Sequence, residues 1–394
     1  MTPSPDLSAK GGRHEISGSS NQKSGDGVTF LFACGGTGGH IFPALSVAEE
    51  LMRRHSDSKV VYVCGTRDVE SAIFRVVPRE AVYAVESAPF RGGRSFVDPR
   101  FLIKLTVGFF RSRALLKKLR PVLVVGFGGY VSFPVLLAAR WMGFKTALHE
   151  QNVVPGRANR VLAKFVDALA LSHEETRAHF VEHRVSRVTG NPIRSSIEKD
   201  CRREALEFFG FSPDFKTILV LGGSQGAESV NRLFLSSLPF LNRETQEKIQ
   251  VLHLCGRMEP RDSEETCRVA GVRAKAFSFF DRMDLAYGAA DLCLGRAGAT
   301  FLAEIEAKGI PAILIPYPFA DGHQRENARV FSARGSAMIA EQKGLTPEHL
   351  ARLIEAMLER CQNTGSLKSR QTPSQARALL ADFLEECAPQ ESGR

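Results

Sequence analysis

No Cys-x-x-Cys pair occurs among the eight cysteines of this 394-residue chain, and several of them, Cys34, Cys64 and Cys293 included, sit inside apolar runs. Such scatter reads as buried free thiols in a reducing cytosol, not as a disulfide scaffold. Met1 to Gly27 is rich in Ser, Gly, Asn and Lys and lacks the apolar centre of a signal peptide, so residues 1–27 are expected to form a disordered extension. Pro121 to Ala139 lacks charge, but Gly126, Gly128, Gly129, Ser132 and Pro134 make it a strand, a turn and a helix sooner than a membrane span. The chain has no metal-ligand cluster, and its globular part holds no low-complexity tract or near-identical repeat, which disfavours a solenoid. Neither glycine turn has the P-loop spacing G-x-x-x-x-G-K-[ST], which argues against that class of ATPase. Gly35 to Gly39 is not G-x-G-x-x-G, which argues against a dinucleotide dehydrogenase.

What the chain does have is repetition of strand, glycine turn and helix. Val28 to Cys34 runs into Gly35-Gly36-Thr37-Gly38-Gly39-His40, and Thr217 to Leu221 runs into Gly222-Gly223-Ser224-Gln225-Gly226-Ala227. A glycine turn at the end of a strand lets backbone amides approach an anion, and the next helix adds the positive end of its dipole. The net charge of +9 also favours anionic partners, whether nucleotide, nucleic acid or acidic lipid. Apolar runs predict strands near 28–34, 59–64, 81–85, 122–126, 146–149, 168–172 and 185–189, then near 217–221, 250–254, 275–279, 291–294, 311–315 and 336–340. This length exceeds the size of one core. The pattern predicts an α/β fold of two nucleotide-type domains, 28–193 and 194–371, joined near Gly190-Asn191-Pro192, with a ligand cleft between them. A final helix within 372–394, with Leu379, Leu380, Phe383 and Leu384 on one stripe, is expected to pack back on the first domain.

The candidate site residues cluster after strands, where open α/β sheets bind ligands. Thr37, Gly38 and Gly39 lead to His40, next to a helix expected from about Phe42. A third turn, Gly126-Phe127-Gly128-Gly129-Tyr130, could complete an amide-rich wall for a second phosphorylated substrate. His149-Glu150-Gln151-Asn152 puts four polar side chains at the same sheet edge, more than core hydrogen bonding readily explains. In the second half, Arg296-Ala297-Gly298-Ala299-Thr300 opens a helix bearing Glu304, a carboxylate suited to the two hydroxyls of a ribose. Asp321-Gly322-His323-Gln324 follows another strand, and Gln324 could read sugar hydroxyls. Pro99 to Pro121 contains no acidic residue and mixes Phe, Leu, Ile and Val with Lys and Arg. It reads either as a packed helix with a solvated basic face or as a helix resting on anionic lipid, and the aromatic and basic mixture favours lipid.

In that order and spacing these motifs, with Gly190-Asn191-Pro192-Ile193-Arg194, resemble the MurG family of bacterial N-acetylglucosaminyltransferases over about residues 28 to 388. The resemblance implies a GT-B fold, two Rossmann-like domains with parallel sheets facing across a deep cleft, with UDP-N-acetylglucosamine in the C-terminal domain and undecaprenyl-linked lipid I in the N-terminal domain. It also implies a peripheral enzyme on anionic lipid at the cytoplasmic face of the inner membrane, with no cofactor, no resident metal and no nucleic-acid partner. By family match Arg194 and Ser224 hold the diphosphate, the backbone of Phe280 the uracil, Glu304 the ribose and Gln324 the sugar. Gln225, Gly226 and Ala299 join the donor site, Gly128, Gly129 and Tyr130 meet the acceptor, Asn152 lies near the reacting centre, and His40 is the candidate base. Local departures are Arg296-Ala297-Gly298-Ala299-Thr300-Phe301, where the family commonly has Arg-Ser-Gly-Ala-x-Thr, and Phe280, where it often has a small aliphatic residue. Two other classes stay open, a UDP-sugar epimerase of related fold and a nucleotide-binding scaffold without chemistry.

Overall fold

Two fully parallel sheets organise the chain in a computed structural model that describes residues 28–66, 68, 74, 77–88, 98–180, 185–222, 227–319, 322–335, 337–364 and 373–389. The expected extension, 1–27, lies outside the described residues. The first sheet is made of β1 (Thr29–Ala33), β2 (Lys59–Gly65), β3 (Val82–Val85), β4 (Leu123–Gly126), β5 (Thr146–Glu150), β6 (Ala168–Leu171) and β7 (Ser186–Val188), in the order β3-β2-β1-β4-β5-β6-β7. Its helices are α1 (Gly38–Arg54), α2 (Pro99–Leu119), α3 (Ser132–Trp141) and α4 (Arg157–Leu162). The second sheet holds β8 (Lys216–Leu221), β9 (Ile249–Leu254), β10 (Arg273–Phe277), β11 (Leu292–Gly295), β12 (Ala312–Leu314) and β13 (Ala337–Ile339), in the order β10-β9-β8-β11-β12-β13. Interleaved with it are α5 (Arg202–Phe209), α6 (Glu228–Ser237), α7 (Arg243–Lys248), α8 (Pro260–Val269), α9 (Met283–Ala289), α10 (Ala299–Lys308), α11 (His323–Ser332) and α12 (Pro347–Thr364), and α13 (Pro373–Cys387) closes the chain's helices.

Strands such as β4 and β11 are apolar on both sides because each sheet carries a core on both faces. Phe30, Phe32, Leu51 and Leu123 lie in one core of the first sheet, and Leu31, Val124, Leu136 and Leu148 in the opposite one. Leu380, Ala381, Phe383 and Leu384 of α13 are at most 2% exposed and enter the core of Phe30 and Phe32. Arg54 of α1 holds α13 through Asp382 at 2.6 Å, Arg187 does so through Glu386, and Arg377 reaches the Ile193 carbonyl and Glu198.

Two elements move by two residues or more. β10 runs from Arg273 to Phe277 in place of 275–279, because its partner β9 pairs Gln250 with Arg273 and ends at Leu254, opposite Phe277. α1 begins at Gly38, four residues before Phe42, so the two glycines and His40 form its first turn. Thr37 caps that turn, its carbonyl accepting from the His40 and Ile41 amides. Glycines are inexpensive there because the first N–H groups of a helix need no intrahelical acceptor. Pro43 within α1 has no N–H to give the Gly39 carbonyl. That oxygen instead accepts from the Thr300 hydroxyl of α10 at 3.1 Å, a contact between the two halves.

Candidate active site

In both sheets the strand order reverses at one place, between β1 and β4 in the first and between β8 and β11 in the second. Connections leave in opposite directions there, which opens a crevice at the carboxyl ends of those strands. The segments that follow these four strands are Gly35 to His40, Phe127 to Tyr130, Gly222 and its successors, and Arg296 to Thr300. The topology therefore gathers motifs that are far apart in sequence. Ser224, Gln225 and Gly226 lie outside the described residues.

His40 is half-buried at the start of α1 with its ring against the third glycine turn. Gly128 has φ +92°, and a Cβ there would come within 2.8 Å of His40 Nδ1; on Gly129, φ +76°, it would come within 2.4 Å of the Gly35 carbonyl oxygen. Only glycine permits that approach. Tyr130 follows, exposed at the rim. His40 Nδ1 lies 3.2 Å from Gln151 Oε1; Gln151 Nε2 donates to the Phe127 carbonyl at 2.9 Å and lies 3.0 Å from His149 Nδ1; His149 Nε2 lies 3.1 Å from the Gly190 carbonyl. Burial pulls the His149 pKa down to about 4, so its ring is neutral at physiological pH.

The amide of Gly36 donates to Asp68 Oδ2 at 2.8 Å. The first glycine turn therefore already holds a carboxylate at its Gly36 amide. Glu150 is buried and shapes the next loop: Oε1 accepts from the backbone and side-chain amides of Asn152, Oε2 from the Gly156 amide and Asn159. Asn152 is thereby pinned, and its Oδ1 accepts from Asn327 of α11 at 3.0 Å. Asn327, only 2% exposed, also accepts from the Val153 amide and donates to the Ala297 carbonyl. His323 adds a bond to the Val154 carbonyl at 2.7 Å.

In the second half, Arg194 stacks its guanidinium 4.1 Å over the Phe42 ring of α1 and gives Nη2 to Glu304 Oε1 at 3.1 Å. The other Glu304 oxygen accepts from the Tyr287 hydroxyl at 2.8 Å. Burial pushes the Glu304 carboxyl above its ordinary range, against the pull of Arg194 and then Tyr287. Ala299 is the first residue of α10, and Gln324 Oε1 accepts from the Tyr317 amide at 3.0 Å. The Phe280 ring packs among Phe277, Phe209 and Phe208 at centroid distances of 4.9 to 5.9 Å. Among the described residues no group of three or more His, Cys, Asp or Glu could hold a metal ion.

Sequence reasoning did not single out Asp68, Tyr287 or the bridging of Asn327. It also gave no role to Arg296, which is buried, donates to the Ile315 and Pro316 carbonyls and to Ser229, and stacks on Tyr317. Its place directly after β11, at the crevice end of the strand, was the available signal.

A glycosyltransferase family 28 N-terminal domain matches residues 30–171, and a glycosyltransferase family 28 C-terminal domain matches residues 217–382. A Halothermothrix orenii protein named UDP-N-acetylglucosamine--N-acetylmuramyl-(pentapeptide) pyrophosphoryl-undecaprenol N-acetylglucosamine transferase is 38% identical, over 92% of this chain and 99% of its own length. A Geobacter sulfurreducens protein of the same name is 39% identical, over 84% and 90%. Among solved structures, MurG of Acinetobacter baumannii matches with a TM-score of 0.68 at 25% identity, covering 91% of this chain and 99% of the other. A UDP-GlcNAc 2-epimerase from Neisseria meningitidis, bound to UDP-GlcNAc, matches with 0.63 at 13% identity, covering 91% and 100%; this is a likeness of fold alone.

Proposed function

The chain belongs to glycosyltransferase family 28, and from that premise we propose that it moves N-acetylglucosamine from UDP-N-acetylglucosamine to the C4 hydroxyl of the muramoyl sugar of lipid I, giving lipid II for peptidoglycan. The observation that carries this reading is the reach of the likeness: a relative named for that transfer is matched over 92% of this chain and 99% of its own length.

Transfer proceeds in one inverting step. The acceptor C4 oxygen attacks the anomeric carbon, its bond to the diphosphate oxygen breaks, and the acceptor proton passes to His40. Charge grows on the departing UDP, where Arg194, the amides around Gly222 and the N-terminus of α10 at Ala299 oppose it. Glu304 takes the ribose hydroxyls, the Phe280 backbone the uracil and Gln324 the sugar, with Ser224, Gln225 and Gly226 at the diphosphate. Gly38 and Gly39, with Thr37 as their cap, line the acceptor side beside Gly128, Gly129 and Tyr130. Asn152 sets the spacing of the two halves at the reacting centre through Asn327. Labelled UDP-N-acetylglucosamine with lipid I in vesicles is expected to yield labelled lipid II. An epimerised UDP-sugar formed without acceptor, and no labelled lipid, would instead support the epimerase reading.

The acceptor's polyprenyl chain stays in the bilayer, so the first half must meet lipid. Among the described residues no helix is long and apolar enough to cross a membrane. α2 begins with Asp98 as its cap and Pro99 at its first position, and buries Phe101, Gly108, Ser112 and Leu116 against the domain. That face accounts for its packing, yet Leu102, Ile103, Val107 and Phe110 remain exposed, with Trp141 of α3 67% exposed beside them. Lys104, Arg111, Arg113, Lys117, Lys118 and Arg120 surround this strip, and Arg113 lies over the Trp141 ring. We place this surface on anionic lipid at the cytoplasmic face of the bacterial inner membrane, at roughly 1 kcal/mol per basic residue. Changing Lys117, Lys118 and Arg120 to Glu is expected to reduce sedimentation with anionic vesicles and slow reaction on embedded lipid I, with UDP affinity unchanged. Undiminished vesicle binding would move the membrane face elsewhere.

A further inference from the structure

We infer that Gln151 is a positioning residue for the transfer, one that fixes His40 in the Nδ1–H form and leaves Nε2 as its basic nitrogen. Backbone carbonyl oxygens can only accept. The Gly190 carbonyl lies 3.1 Å from His149 Nε2, so that nitrogen carries a proton. His149 is fully buried and neutral, which leaves its Nδ1 as an acceptor. The Gln151 amide nitrogen lies 3.0 Å from that acceptor and 2.9 Å from the Phe127 carbonyl. Turning the amide over would set an oxygen against two acceptors, so its orientation is decided. Gln151 Oε1 then faces His40 Nδ1 at 3.2 Å and can only accept, so Nδ1 donates. The glycine turn holds the ring in place, since Gly128 leaves no room for a side chain above it. The inference rests on the reading of His40 as the base, which supplies its purpose but not its geometry.

Nitrogen-15 NMR of the histidine rings in the full-length protein tests the inference directly. The parent protein is expected to show His40 protonated at Nδ1, and an Nε2–H ring there overturns the inference without any mutant. In Gln151→Met, close in volume but unable to accept from His40, the tautomer preference is expected to be lost. Its kcat should fall about tenfold, with KM for UDP-N-acetylglucosamine unchanged. A Met variant that keeps the Nδ1–H form, whatever its kcat, also overturns the inference, since Gln151 would then act only as packing. Failure of the base reading looks different: His40→Ala would keep its turnover while the parent ring still carried its proton on Nδ1.

Discussion

Replacing His40 by alanine is expected to lower the turnover of sugar transfer by about 10²–10⁴-fold and to leave UDP affinity where it was. A base acts on the acceptor proton in the transition state, whereas the nucleotide is gripped from the other sheet, by Arg194 and Glu304 in this reading. The loss is not a folding defect, because the ring is only half-buried and none of the core clusters includes it. Steady-state kinetics on lipid I together with UDP calorimetry separate the two effects. Equal turnover in variant and parent would sink the assignment of His40.

Glu304→Ala is expected to damage two things at once. The buried Tyr287 hydroxyl loses its acceptor and Arg194 its partner carboxylate, which costs roughly 3 kcal/mol of stability. UDP binding weakens by roughly 1.5–3 kcal/mol as the ribose hydroxyls lose a charged acceptor. Glu304→Gln separates these effects, since the amide oxygen can still accept from Arg194 while its NH2 donates to the Tyr287 hydroxyl oxygen. Stability by urea denaturation should then stay within about 1 kcal/mol of the parent, while UDP affinity by calorimetry still falls. Unchanged affinity in the glutamine variant removes Glu304 from the nucleotide site.

The sheets were legible because a parallel strand covered on both faces is a short uniform apolar run between glycine turns, and β1, β4, β8 and β11 all read that way. Four of the motifs lie together for a related reason, since those after β1, β4, β8 and β11 follow strands that flank a reversal of strand order, whereas His149 to Asn152 and the stretch before Gln324 follow β5 and β12. What could not be read depends on partners distant in sequence. Asp68 caps Gly36 from 32 residues away, Gln151 meets His40 across 111, and Asn327 holds Asn152 across 175. A single asparagine or glutamine offers no local pattern that foretells such a bond. The early start of α1 was missed because two glycines suggest a loop, although at a helix's first turn they cost little.

The position of α13 also sets an order of events during synthesis. Its leucines and phenylalanine complete the core built on Phe30 and Phe32, yet they emerge from the ribosome only after the whole second sheet has been made. At ~5–20 residues per second that interval lasts on the order of tens of seconds. Throughout it, the nascent first half carries an uncovered apolar face that its own sequence cannot yet close, and this is the stage at which a growing chain is most exposed to association with its neighbours.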